Sequence, residues 1–269
     1  MDTIDNETGI DYVRQILLGN GDYNYDRVYY SSNENLDGLF KNVDMKDKKV
    51  LTVQASSDQL FHISSKKPAS IETFDMNRLT KFYYYLRKWY ILYEDEFYFN
   101  VYNTENIYEL LHKVIPTNEE EYDAYLYWIK FVKTIPKFFI KDLYFISSNP
   151  HKNEIHDLRR LKDFLVDYKL RFNGMDITKE RLDKKYDTIV ISNILEYYDE
   201  DLGRITDIRN NLCRMLNDDG EVIASNLMND YISYAIYAGF YRKFEINEIF
   251  DHGRSIGCVY KKKRDVNKK

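Results

Sequence analysis

Cysteine is nearly missing from these 269 residues. Cys213 and Cys258 stand far apart, with no metal-type spacing and no partner set of histidines, so neither a zinc site nor a disulfide scaffold is supported. A reducing, intracellular setting is the expectation. Long apolar runs are also lacking: none approaches the ~18 residues of a membrane span. The start MDTIDNETGIDYV is acidic, without the basic opening and apolar core of a signal peptide. The chain therefore reads as cytoplasmic, with no transmembrane segment. Positive charge is not in excess either. At a net charge of −5 nothing supplies the broad basic surface that phosphate backbones need, and no nucleic acid is expected as partner. Lys261, Lys262, Lys263, Arg264, Lys268 and Lys269 make a short basic tail, which reads as solvated. Glycine is scarce, 10 against 26 Tyr and 15 Phe, which favours large packing surfaces over loops.

What is present is a core-forming composition, 44% hydrophobic, enough for one large domain or a core with an inserted lobe. Ile10, Val13, Ile16 and Leu17 recur at helical spacing until Gly19-Asn20-Gly21, and Ser32-Asn33-Glu34-Asn35 reads equally as a cap for a helix over Leu36 to Phe40 or as a ligand-facing segment. Strands are expected at Val50 to Val53, Ile71 to Phe74, Leu170 to Asn173, Asp187 to Ser192 and Glu221 to Ser225. A helix from Leu202 to Leu216 is expected to close at Asn217-Asp218-Asp219-Gly220, with a further helical stretch around Tyr231 to Ala238. Two last β runs, Lys243 to Phe250 and Ser255 to Lys261, flank the hairpin signal Asp251-His252-Gly253-Arg254. The whole is an α/β fold: a Rossmann-like sheet of parallel strands with one late antiparallel strand.

Residues 77–169 break that alternation. Stripes such as Leu79, Phe82, Tyr83, Leu86 and Trp89, or Leu158, Leu161, Phe164 and Leu165, are helical, with breaks near Pro116, Pro136 and Pro150. The expected organisation is an N-terminal helical segment 1–47, an α/β core of 48–76 and 170–262, an inserted helical lobe 77–169, and the tail 263–269.

Strand, small-residue turn, helix and strand follow one another in KVLTVQASSDQLFHISSKKPASIETFDMN, Lys49 to Asn77. Ala55-Ser56-Ser57 is compact enough for backbone N–H groups to approach a ligand. Asp75 ends the second strand about 20 residues after Gln54, the spacing at which a carboxylate accepts from ribose hydroxyls. Four strand ends then converge on one edge: Gln54, Ala55, Ser56, Ser57, Asp58 and Gln59; Asp75, Met76 and Asn77; Asn173 to Ile177, including Asp176; and Ser192, Asn193 on to Tyr198. The G-x-G-x-x-G fingerprint of NAD sites is missing.

These features resemble the class I S-adenosylmethionine (SAM)-dependent methyltransferases, over roughly Lys48 to Lys261 with the lobe inserted. SNILEYYDED is similar to that family's motif after its fourth strand, often written SNVLEH. The resemblance implies a seven-stranded sheet with a reversed last strand and SAM as cofactor. It also implies that Asp75 holds the ribose, Asp176 with Ile177 the adenine, and Ser56 to Gln59 the methionine end. More narrowly, SSNENLDGLF, KKVLTVQASSDQLF and FDMNRLTKFYYYLRK look like bacterial proteins related to the 3-amino-3-carboxypropyltransferases of betaine-lipid synthesis. The chain departs from both patterns at Gln54, Ala55, Ser56 and Ser57, where glycines are usual.

For chemistry at the transferred group, Asn193 could orient a nucleophile and Glu196 or Tyr197 could take its proton; equally, Glu196 and Tyr197 could simply begin the next helix. The five histidines offer no i, i+4 pair, and no metal is assigned. The leading expectation is a SAM-dependent methyltransferase with a small-molecule or lipid-like acceptor. Its rivals are aminocarboxypropyl transfer and a noncatalytic binding or assembly subunit.

Overall fold

A buried apolar run, a crossover helix and a second buried run pair readily as parallel neighbours, because the helix returns the chain to the starting edge. The computed structural model describes residues 28–94, 104–134, 145–146, 155, 157–198, 201–226, 239–251 and 256–263, and Lys49–Asp75 folds in this way within it. In chain order the elements are β1 (Val28–Tyr29), α1 (Leu36–Phe40), β2 (Lys49–Val53), α2 (Asp58–Ser64), β3 (Ser70–Asp75) and α3 (Leu79–Glu94). There follow α4 (Thr104–Lys113), α5 (Glu119–Thr134), β4 (Phe145–Ile146), α6 (Leu158–Asp167), β5 (Phe172–Gly174), β6 (Tyr186–Ser192) and a 3-10 turn (Ile194–Tyr198). Then come α7 (Leu202–Met215), β7 (Leu216–Asn226), β8 (Phe244–Asp251) and β9 (Ile256–Lys262).

The chain divides into two compact units. The sheet unit comprises Asn33–Gln54, Gln59–Asp75 and Leu170–Lys269; the helical unit comprises Met1–Ser32, Ala55–Asp58 and Met76–Lys169.

In the sheet unit seven strands run in the order β5-β3-β2-β6-β7-β9-β8. The first five are mutually parallel and β9 is antiparallel to both of its neighbours. This is the Rossmann-like sheet with a reversed last strand that the sequence implies. Val50, Leu51, Ile189, Val190, Ile191, Val222 and Ile223 are buried, which fits central parallel strands covered on both faces. Successive strands go to opposite sides after β2, since β3 lies on one flank and β6 on the other. That reversal is a topological switch point, where α/β sheets open a crevice at their carboxyl ends.

Two expected boundaries move. Asn217-Asp218-Asp219-Gly220 does not separate helix from strand but lies inside β7. Leu216 already pairs with Tyr186, and Glu221 pairs with Thr188, so the intervening residues form a bulge. Side chains distant in sequence favour this: the Nζ atoms of Lys262 and Lys185 donate to the Leu216 carbonyl at 3.0 and 3.2 Å, and Leu216 is extended. Likewise β5 spans Phe172–Gly174 instead of Leu170 to Asn173, because Leu170 is a buried packing residue and the ladder with Thr73–Asp75 starts at Phe172.

The helical unit packs the aromatic stripes. Leu79, Phe82, Tyr83, Leu86, Trp89, Tyr127, Trp128 and Phe131 are buried; Phe82 stacks on Tyr127 at 4.4 Å, and Trp128 Nε1 donates to the Phe82 carbonyl at 2.8 Å. Lys88 and Glu121 form a buried ion pair at 2.7 Å between α3 and α5. A two-residue parallel pairing joins β1 to β4. The helix expected at Ile10 to Leu18, the stretch around Tyr231 to Ala238 and the hairpin tip beyond Asp251 lie outside the described residues. Among the described residues no helix is long and apolar enough to cross a membrane.

Candidate functional site

The carboxyl ends of β5, β3, β2, β6 and β7 bring together most of the sheet-unit residues singled out by the sequence. Gln54 leaves β2 fully buried, its N–H donating to the Phe74 carbonyl at 2.8 Å. Asp75 closes β3 at partial exposure, and its own carbonyl accepts the Met175 N–H at 3.0 Å, which fastens the end of β5 beside it. Asn173 adds a bond from Nδ2 to the Thr73 carbonyl at 2.9 Å.

Asp176 is held by its own loop. One carboxylate oxygen accepts from Thr178 N at 2.9 Å and Thr178 Oγ1 at 2.6 Å, and the other faces Lys179 Nζ at 2.9 Å. Burial alone would raise its pKa, but these bonds to Thr178 and Lys179 prevail and keep the carboxyl below its ordinary range. Ile177 is buried, and its carbonyl accepts from Asn211 Nδ2 at 2.9 Å. Ser192 ends β6 with φ 53° and is buried; its Oγ lies 3.4 Å from Asn193 Oδ1. A left-handed serine at a strand end is costly for a non-glycine residue and turns the chain sharply into the 3-10 turn. Glu196 and Tyr197 lie in that turn, not in the following helix; Tyr197 is 54% exposed.

The remaining named residues belong to the helical unit. Met76 is exposed, and Asn77 caps α3, its Oδ1 accepting the Leu79 N–H at 2.9 Å. Ala55 and Ser57 take φ of 38° and 72°, so the turn after β2 keeps the left-handed backbone that glycine would have supplied without strain. Its fourth residue, Asp58, accepts from Ser32 N at 2.5 Å, Ser56 Oγ at 2.8 Å and Arg87 at 2.5 Å.

Within Ser32-Asn33-Glu34-Asn35, the segment that reads as a cap or as ligand-facing, the cap is Asn35, whose side chain accepts the Gly38 N–H at 3.1 Å. Glu34 instead is buried, accepting from Gln59 Nε2 at 2.6 Å and from Ser225 Oγ. No spacing rule singles it out, since its partners come from α2 and β7.

His62 is buried in α2 with Nδ1 3.4 Å from Asp37, and His112 meets the Tyr108 ring edge-on at 4.4 Å. Among the described residues no group of three or more His, Cys, Asp or Glu could hold a metal ion. The helical unit contains a cavity of about 350 Å³ lined by Tyr85, Glu120, Glu121 and Tyr168 among others. Two of the carboxylates that line it are engaged: Glu120 by Tyr85 at 3.0 Å and Lys81 at 3.4 Å, Glu121 by Lys88 and Thr117.

No family model matches the sequence, and no curated protein matches it. Among solved structures the chain is similar to the ribosomal protein L11 methylase from Lactobacillus delbrueckii subsp. bulgaricus, with a TM-score of 0.45 and 15% identity over 84% of this chain and 76% of that one. The N-methyltransferase NodS from Bradyrhizobium japonicum WM9, in complex with S-adenosyl-L-homocysteine, gives 0.42 and 10% over 96% and 99%. A TehB-like SAM-dependent methyltransferase from Corynebacterium glutamicum ATCC 13032 Kitasato gives 0.44 and 10% over 96% and 98%. Likenesses this distant carry no functional weight; the strand order stands on its own.

Proposed function

We propose that this chain is a SAM-dependent transferase, favouring methyl transfer to a small-molecule or lipid-like acceptor in the cytoplasm. The observation that carries the reading is Asp75: a partly exposed carboxylate at the carboxyl end of β3, next to the strand at which the sheet order reverses. A carboxylate there can accept both ribose hydroxyls, as in other nucleotide-type sites.

The residues present fit SAM. Asp75 would hold the ribose, and Ile177 would offer an apolar wall to the adenine. Asp176, committed to Thr178 and Lys179, would position that loop more than it would bind through its carboxylate. Gln59 leaves Oε1 buried and without a hydrogen-bond partner, an acceptor suited to a ligand's N–H. Bound SAM would supply an electrophilic carbon on its sulfonium. Ser192 and Asn193, at the end of β6 on the other side of β2, would orient the attacking group.

Calorimetric titration with S-adenosylhomocysteine tests the reading. Micromolar or tighter binding is expected, together with recovery of SAM or S-adenosylhomocysteine by mass spectrometry of denatured protein. Absence of binding in folded protein would sink it.

A further inference from the structure

We propose that the cavity in the helical unit binds a small zwitterion with an apolar body, the chemistry of an apolar amino acid, with Glu119 taking the ammonium and Lys169 the carboxylate. At about 350 Å³ the cavity can hold such a molecule, since small-molecule sites begin near ~300 Å³. Three helices supply its lining. Tyr85 comes from α3, Glu119, Glu120 and Glu121 from the first turn of α5, and Tyr168 and Lys169 directly follow α6. All of them belong to the helical unit, and the inference does not depend on the SAM reading.

The buried part of the lining has its polar groups satisfied. Tyr85 is 2% exposed, and its hydroxyl donates to Glu120 at 3.0 Å. Burial first, then the charge of Glu120 and the bond to it, push the Tyr85 pKa well above its ordinary range, so the phenol stays neutral. Glu121 is 3% exposed; it pairs with Lys88 at 2.7 Å and accepts from both N and Oγ1 of Thr117. Polar groups already bonded leave no desolvation cost for a ligand's own polar groups to offset there. This part suits an apolar body lying against tyrosine rings.

The exposed part is different. Glu119 and Lys169 are both exposed, and neither has an ion pair or hydrogen bond among the described residues. Glu120 and Glu121 are engaged by Tyr85, Lys81, Lys88 and Thr117, so the glutamates do not act as one acidic cluster. The charges left lining the cavity are one carboxylate and one ammonium. A ligand with a single charge would attract one of them and oppose the other; a zwitterion pairs with both.

NMR titration of the full chain, observing the ligand, tests this with probes that differ by one charge. L-Phenylalanine carries both charges, phenethylamine only the ammonium and phenylpropionate only the carboxylate. L-Phenylalanine should bind in the millimolar range or tighter, and about threefold tighter than either singly charged probe, the scale of one exposed ion pair. Glu119→Gln should weaken L-phenylalanine and phenethylamine and spare phenylpropionate. Lys169→Met should weaken L-phenylalanine and phenylpropionate and spare phenethylamine. Both positions are exposed, so neither change threatens the fold. Absence of saturable binding for L-phenylalanine and L-leucine alike, equal affinity for the three aromatic probes, or losses that ignore probe charge would each overturn the proposal. The SAM reading is decided separately, by binding of S-adenosylhomocysteine.

Discussion

Arg87 places a guanidinium nitrogen 2.5 Å from the carboxylate of Asp58, with the two side chains only 3% and 1% exposed. The same nitrogen donates to the Ser56 carbonyl at 2.7 Å. A helix residue thereby fixes a turn that has no glycine, and the left-handed φ values of Ala55 and Ser57 are held by a fully bonded network.

Removing one partner of a buried pair leaves the other charged and unpaired, which costs about 3–5 kcal/mol. Asp58→Ala should lose stability on that scale in urea unfolding. Joint replacement by Asp58→Asn and Arg87→Met should recover much of it, because no buried charge then remains. A single variant within about 0.5 kcal/mol of wild type, the ordinary range for surface changes, would show that the pair is not what holds the turn.

Asp75→Ala probes the ribose contact. A hydrogen bond to a charged group is worth about 1.5–3 kcal/mol, so affinity for S-adenosylhomocysteine should fall tenfold or more. Unchanged affinity in a folded variant, measured by calorimetry, would remove Asp75 from the site.

Asp176 supplies a pH signature. Its folded pKa is held below the unfolded value of about 3.9, so its bonds to Thr178 and Lys179 stabilise the fold above that value. The contribution fades as pH falls from about 3.9 through the lower folded value. Asp176→Asn should therefore be less stable than wild type at neutral pH, with the two unfolding midpoints converging in strong acid. Added salt should narrow the neutral-pH gap, since Lys179 is 72% exposed. A gap that widens on acidification would contradict the assignment.

Much of the sheet was legible because buried parallel strands read as continuous apolar runs, as in Val50 to Val53 and Thr188 to Ile191. The bulge at Asn217–Gly220 was not, because four turn-forming residues are what a loop also shows; only the lysines donating to the Leu216 carbonyl decide it. Gly220 is a direct check. A Cβ there would lie 3.1 Å from the Asn217 carbonyl oxygen and 2.9 Å from Leu216 Cδ2. Gly220→Ala should cost about 1 kcal/mol or more, in the range of overpacked sites, and a neutral result in urea unfolding would return the segment to an ordinary loop. At the site, Asp75 is visible from spacing, whereas the bonds of Glu34 to Gln59 and Ser225 are not, because these partners are distant in sequence.

The reaction itself is decided by which carbon of the sulfonium is attacked. Attack at the methyl group breaks the S–CH3 bond and leaves S-adenosylhomocysteine; attack at the arm's sulfur-bound carbon breaks the bond between sulfur and the arm and leaves methylthioadenosine. In the favoured reading the methyl group departs and the arm stays on the sulfur-bearing product. Incubation with SAM and cell extract should therefore release S-adenosylhomocysteine above a no-protein control. Chromatography settles it: methylthioadenosine as the enriched product would replace methyl transfer by aminocarboxypropyl transfer. No turnover in any extract, with tight binding intact, would favour a binding subunit.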